Sequence, residues 1–200
     1  MLFRSWASGS TGLYRLAGSS STWTRVGAES GLPADNPVNA FIDSSDALWV
    51  STANGLYRRP QSAAGPFERL EPSFDPQRTL AFSEGPDNRV WATDPFVGLR
   101  ALGAGPSLQG SDAGRGFRVI HDRDGNIWVA TIGQGLWRAR QAADARRPLL
   151  VERASVLSGL SSDAVRTVFE DRDGNIWAGT TDGVDRLVPH RVTQIGRAHV

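Results

Sequence analysis

The sequence contains no cysteine and no lysine, one methionine, two tyrosines and three histidines among its 200 residues. Without cysteine, disulfides, thiol nucleophiles and cysteine-based metal sites are excluded, and the redox compartment is left open. The histidines, His121, His190 and His199, stand in unrelated contexts with no metal-ligand spacing. No charge sign dominates, since 22 basic residues face 21 acidic ones for a net charge of +1. That balance gives no footprint for nucleic acid or an acidic membrane surface. Every basic residue is arginine, and their scatter reads as coding bias rather than as a phosphate-binding device. No apolar run approaches the roughly 20 residues of a membrane span. Residues 1–16 lack the basic start and apolar stretch of a secretory signal. The length suits one domain with a real core.

What is abundant is tryptophan, with seven copies, and glycine, with 22. Trp6, Trp49, Trp91, Trp128 and Trp177 each open a similar segment, spaced 43, 42, 37 and 49 residues apart. The segments read WASGSTGLYR, WVSTANGLYR, WATDPFVGLR, WVATIGQGLWR and WAGTTDGVDR. A glycine follows six or seven positions later (Gly12, Gly55, Gly98, Gly135, Gly183), and then an apolar residue (Leu13, Leu56, Leu99, Leu136, Val184). Ahead of the last four tryptophans runs a second shared element, VNAFIDSSDALW, TLAFSEGPDNRVW, FRVIHDRDGNIW and VRTVFEDRDGNIW. It places an acidic residue (Asp43, Glu84, Asp122, Asp171) six or seven residues before the tryptophan. A third element, Gly31-Leu32-Pro33-Ala34-Asp35, is echoed by Gly159-Leu160-Ser161-Ser162-Asp163. Such co-registered self-similarity is the signature of repeat architecture.

Short Val/Ile/Phe/Trp runs between Gly, Asp, Asn and Ser turns predict an all-β chain. Asp124-Gly125-Asn126 and Asp173-Gly174-Asn175 suit tight hairpins, which demand positive φ. Residues 44–47 and 85–89 make the same turn with weaker chemistry. Each unit reads as four strands, placed for the Trp128 copy at 116–121, 126–131, 135–140 and 148–153. Adjacent apolar pairs such as Ala40-Phe41, Val119-Ile120 and Val168-Phe169 mark inner strands covered on both faces. Four-stranded sheets repeating about every 40 residues describe β-propeller blades. We place the repeats at 1–26, 37–70, 78–109, 116–153 and 164–195 of a single partial propeller spanning 1–200. At a period near 43 the chain holds about 4.7 blades. It is therefore expected to be a piece of a larger propeller, the alternative being a five-bladed ring closed by residues 195–200. That tail fits no repeat.

The pattern Asp-Arg-Asp-Gly-Asn-Ile-Trp-Val-Ala-Thr, then Gly-Leu-Trp-Arg, with Gly-Leu-x-x-Asp ahead of the first strand, resembles the two-component regulator propeller repeat. The resemblance spans about Trp6 to Val192. It departs most at Pro86 and Asp94-Pro95-Phe96, and at Val184-Asp185. It implies a periplasmic or extracytoplasmic, ligand-sensing module of a two-component or hybrid histidine kinase-type signal transduction protein, itself without enzymatic activity. It further implies a kinase or diguanylate cyclase elsewhere in the whole protein, often with a carbohydrate ligand. Competing readings are a streptogramin lyase-like propeller enzyme, which needs a clustered histidine and acid with a divalent metal, and a protein-interaction scaffold.

No catalytic arrangement, cofactor or metal site is indicated. The Asp-x-Asp-Gly-Asn segments read as Asx turns rather than calcium loops, lacking a glutamate at position twelve. The five aligned tryptophans read as packing between blades, whereas Trp23 and Trp137 lie off that register. Ligands are expected at one rim, where the starts of inner strands meet the loops after the Trp strands. The candidates are Asn39, Arg78, Arg118 and Arg166 with Asp94, Phe96, Gln134 and Asp182, and Asn54 beside them. Converging arginines favour a carbohydrate or an anionic small molecule through forked hydrogen bonds. The other expected partners are neighbouring propeller or signalling domains and a second copy of the chain, and not nucleic acid.

Overall fold

A computed structural model describes residues 5–9, 11–18, 20–33, 37–53, 55–60, 65–70, 81–94, 98–102, 116–140 and 150–188. Those residues form strands and two single turns of 3-10 helix. The first sheet holds β1 (Ser5–Gly9), β2 (Gly12–Leu16) and β3 (Trp23–Val26). The second holds β4 (Pro37–Ile42), β5 (Leu48–Thr52), β6 (Gly55–Arg59) and β7 (Glu68–Leu70). The third holds β8 (Ala81–Glu84), β9 (Val90–Asp94) and β10 (Gly98–Ala101). The fourth holds β11 (Arg118–His121), β12 (Ile127–Ala130), β13 (Leu136–Arg140) and β14 (Leu150–Ala154). The fifth holds β15 (Val165–Glu170), β16 (Ile176–Thr180) and β17 (Val184–Leu187). In every sheet each strand pairs antiparallel with the next in the chain.

The strands expected for the Trp128 copy agree with the observed ones to within two residues. The first sheet starts at its Trp strand, with no described inner strand before it. Fourth strands expected after β10 and near residues 190–195 lie outside the described residues. The innermost strands pack in chain order, β1 on β4, β4 on β8, β8 on β11 and β11 on β15. Among the described residues no pairing of that extent joins β1 to β15. Among the described residues the sheets form the arc of a β-propeller and do not close into a ring.

Each joint between sheets is a separate apolar core. The first joint packs Leu13 and Leu32 on Leu48, Val50, Tyr57 and Phe67. The second packs Trp49 and Leu56 on Phe82, Val90 and Ala92. The third and fourth repeat the scheme, with Trp91 and Leu99 on Val119, Ile127 and Val129, and Trp128 and Leu136 on Val165, Val168, Ile176 and Ala178. One sheet contributes its tryptophan and the leucine after the repeat glycine, and the next contributes the opposing wall. Leu13, Leu56, Leu99 and Leu136 are all 0% exposed, each contributing about 1.5–3 kcal/mol. An inner strand flanked by a sheet on each side is covered on both faces because successive side chains point to opposite joints. Val119 faces the third sheet while Ile120 packs on the core shared with the fifth.

The fifth sheet shows what the next sheet supplies. Val184 stands where the leucines stand and is 69% exposed, and Phe169, equivalent to Phe41 and Ile120, is 61% exposed.

The hairpins between inner and Trp strands share one geometry despite different sequences. Gly125 and Gly174 take left-handed φ of 79° and 82°, and Asp46 and Asn88 take the same position at 60° and 58°. The acidic alignment drawn from sequence needs one correction. Ser83 pairs with Trp91 as Ile120 pairs with Trp128, so the third sheet carries Gly85 where the others carry Asp43, Asp122 and Asp171. Glu84 instead matches Ile42, His121 and Glu170.

Candidate functional site

Every inner strand starts at one rim and ends at the other. The hairpins define one rim, and the loops after the Trp strands define its opposite together with the linkers that lead into inner strands. Arg118 pairs with Ala130 and His121 with Ile127, so the two ends of β11 lie at different rims.

At the hairpin rim each aspartate is saturated. Oδ1 of Asp122 accepts the amides of Asp124 (3.1 Å) and Asn126 (2.8 Å), and Oδ2 accepts Asn126 Nδ2 (2.7 Å) and Trp128 Nε1 (2.8 Å). Asp171 repeats this with Asp173, Asn175 and Trp177, and Asp43 with Ser45, Ala47 and Trp49. Donation by Trp177 Nε1, then by Asn175, holds the Asp171 carboxyl at about 2, against an ordinary 3.8. Burial pushes Asp43 up, but hydrogen bonds from Ser45, Trp49 and Ala47 outweigh it and leave the carboxyl below its ordinary value. Guanidinium groups of Arg58, Arg138 and Arg186 stack 5.1 Å, 5.4 Å and 5.8 Å from the centroids of Trp49, Trp128 and Trp177. The first carboxylate of each DRDGNIW motif is thus spent on N–H donors of its own hairpin, one of them the tryptophan that enters the joint, which agrees with the Asx-turn expectation. Among the described residues no cluster of three or more histidine, aspartate or glutamate side chains forms a metal site.

The opposite rim is a clasp between consecutive sheets. The carbonyl of Asp163 accepts the amides of Gly133 (3.0 Å) and Gly135 (2.8 Å), and Val165 N–H donates to Thr131 O (2.8 Å). Asp163 Oδ1 caps the one-turn helix Val156–Ser158 through Val156 N–H at 2.9 Å. Leu160 of the same linker is buried in the fourth joint. The Gly159–Asp163 element therefore pins the linker into the fifth sheet onto the loop of the fourth. Gly135 is required there, because its φ is +73° and a Cβ would collide with the Ala154 carbonyl.

Most of the described candidates lie at this clasped rim. Arg118 and Arg166 are exposed, at the same ends of neighbouring strands β11 and β15, the latter beside a bulge between Val165 and Thr167. Among the described residues neither side chain makes a hydrogen bond or ion pair. Asn39 is half-buried opposite Ser51, its Oδ1 accepting Ala40 N–H at 2.8 Å. Gln134 is half-buried, with Oε1 shielded and without a hydrogen-bond partner. Asp182 is exposed in the turn between β16 and β17. Asp94 closes β9 opposite Gly98. Arg78, Phe96 and Asn54 lie outside the described residues. Two exposed apolar neighbours escaped sequence reasoning, Phe117 (38%) before Arg118 and Ile132 (46%) after Thr131. Ile132 carried a signal, since other copies have Ala53 and Thr181 at that place.

The off-register tryptophans part company. Trp23 is 43% exposed on β3. Trp137 is half-buried against the third joint under the Arg153 guanidinium, 5.9 Å away.

A repeat-built propeller arc is the class these observations define, and comparison with known proteins specifies the repeat. Residues 159–182 match the two component regulator propeller family, which covers the clasp, the inner strand, the aspartate and Trp177. One copy of that repeat therefore lies at residues 159–182. No curated protein matches it. Among solved structures it is similar to the extracellular domain of BT3049 from B. thetaiotaomicron, assigned as a hybrid two component system. The TM-score is 0.74 at 16% identity, over 90% of this chain and 25% of that one. The extracellular domain of BT4673 from the same organism, assigned as a one component system, gives 0.71 at 19% identity, over 94% of this chain and 29% of that one. Virginiamycin B lyase from Staphylococcus aureus gives 0.62 at 13% identity, over 95% and 70%. The chain spans under a third of the length of the first two structures. These likenesses establish the propeller fold.

Proposed function

We propose that the chain is part of a ligand-sensing propeller on the extracytoplasmic side of a signal transduction protein, without enzymatic activity of its own. The observation that carries the reading is the pair Arg118 and Arg166, exposed at one rim beside Phe117 and Ile132 and unpaired among the described residues. Arg153 pairs with Asp163 at 3.8 Å, whereas Arg118 and Arg166 meet no carboxylate among the described residues. Next to exposed apolar side chains, they suit a ligand with an anionic group and a hydrophobic face. The family repeat and the extracellular assignments of two similar structures support the placement outside the membrane. Ligand binding across the joint between the fourth and fifth sheets would bias how those sheets pack, and so bias a neighbouring output domain.

The lyase reading is disfavoured by His121. That histidine ends β11 at the hairpin rim, bonded to Ser83 and away from the arginine rim. The test is calorimetric titration with oligogalacturonate and with a neutral cello-oligosaccharide. Uronate binding that weakens at least about tenfold in Arg118→Ala and Arg166→Ala supports the reading. Equal binding in both variants, or neutral-sugar binding alone, refutes the arginine site.

A further inference from the structure

The joint between the third and fourth sheets is chemically unlike its neighbours. At the second joint Glu84 reaches back to accept Ser44 N–H and Ser44 Oγ–H, each at 2.7 Å. At the fourth joint Glu170 accepts Arg123 N–H at 3.0 Å and pairs with Arg123 Nε at 2.8 Å. At the third joint His121 replaces the glutamate, and Pro86, which has no N–H, replaces the donor residue. Three further positions facing that joint change with them. Gly85 stands for the aspartate, Ala101 for the stacked arginine, and Ser83 for the apolar Phe41 or Ile120. The replacement closes the joint differently. Ser83 Oγ accepts His121 N–H at 2.9 Å and lies 2.8 Å from His121 Nδ1. The imidazole also tilts against Trp91, with centroids 6.3 Å apart.

We propose that this joint is a proton-responsive seam, held shut by neutral His121 and loosened when the ring is protonated. In the closed seam so proposed, the Ser83 hydroxyl accepts the His121 amide at 2.9 Å and gives its own hydrogen to Nδ1 at 2.8 Å, with the neutral ring's proton on Nε2. Nε2 lies over Gly85, where even a Cβ would stand 3.1 Å away. Protonation converts Nδ1 from acceptor to donor, so the Ser83 hydroxyl must turn its hydrogen away, and it places a positive charge on a ring whose burial opposes it. Burial disfavours the cation, while Asp87, Asp122 and Glu84 favour it, and the balance lies below the ordinary 6.5. Of those carboxylates, Asp87 also holds Arg89 at 3.8 Å. The unfolded chain takes up its proton near 6.5 and the folded one at lower pH. The seam is therefore strongest above 6.5 and weakens as pH falls from there towards the folded value. The device is independent of which ligand the rim takes.

The experiment is a titration of the 200-residue chain by NMR, following the His121 ring, assigned with His121→Gln, and the exchange protection of the His121 amide. We expect His121 to titrate below 6.5 and its amide to lose about tenfold protection between pH 7.5 and 5.5. A ring titrating at or above 6.5, or an amide whose protection is unchanged, overturns the proposal. A second arm rebuilds the glutamate latch. His121→Glu alone leaves a carboxylate facing proline, whereas Pro86→Ser/His121→Glu restores donor and acceptor. The double variant is expected to fold with an equilibrium constant about tenfold above His121→Glu, with flat amide protection over that pH range. No gain from Pro86→Ser refutes the pairing rule. The titration of the unmodified chain decides the matter even where His121→Glu does not fold.

Discussion

Leu136 and Val184 occupy one position of the repeat, directly after the repeat glycine and opposite the end of the Trp strand. Leu136 is 0% exposed and Val184 is 69% exposed. If burial at this position comes from the following sheet, truncation must be costly in the fourth sheet and nearly free in the fifth. Leu136→Ala removes three carbons from a sealed core, for about 3 kcal/mol within the roughly 2–5 kcal/mol range of such changes. Val184→Ala removes two methyls already in water, for less than about 0.5 kcal/mol. In urea, with a slope near 2 kcal/mol/M for a chain of this size, the midpoints should fall by about 1.5 M and by less than about 0.25 M. Leu99→Ala, at the third joint, should behave as Leu136→Ala does. Equal shifts for Leu136→Ala and Val184→Ala would refute the argument, because burial would then arise within each sheet rather than between sheets.

Two further outcomes follow from the loops and the hairpins. Gly133 and Gly135 both have positive φ, but a Cβ on Gly133 meets open space while one on Gly135 meets the Ala154 carbonyl. Gly133→Ala should therefore cost about 1 kcal/mol of backbone strain and Gly135→Ala clearly more, with thermal midpoints ranking the two. The Asp171 carboxyl titrates near 2 in the folded protein, against 3.8 ordinarily. Its contribution is complete above 3.8 and is lost as pH falls from there towards 2. Asp171→Asn should thus be less stable than the unaltered chain at pH 5, and the gap should narrow at pH 3 and close near pH 2. A gap that stays constant over that range contradicts the assigned hydrogen bonds.

How far the chain was legible follows the range of the interactions. Trp128, Gly135 and the DRDGNIW run report on strand pairing within some twenty residues, so strands, hairpins and sheet period could be read directly. The left-handed Asp46 and Asn88 show why weaker hairpins were still recognisable, since short polar side chains tolerate that conformation. The third hairpin misled because its acidic residue sits one place early, and only the pairing of Ser83 with Trp91 reveals the offset.

What faces what across a joint was not legible, because those contacts link residues about forty positions apart through sheet packing rather than through any local pattern. The Glu84–Ser44 and Glu170–Arg123 links carry no motif in either partner taken alone. The same holds at the arginine rim. The sequence named Arg118 and Arg166 as rim candidates, but their lack of carboxylate partners among the described residues became visible only once Asp163 and Glu170 were seen engaged elsewhere. In a repeat fold the departures from the repeat are therefore the informative positions. His121 facing Pro86, and Val184 facing solvent, are such departures, and each is explained by the sheet beside it rather than by its own.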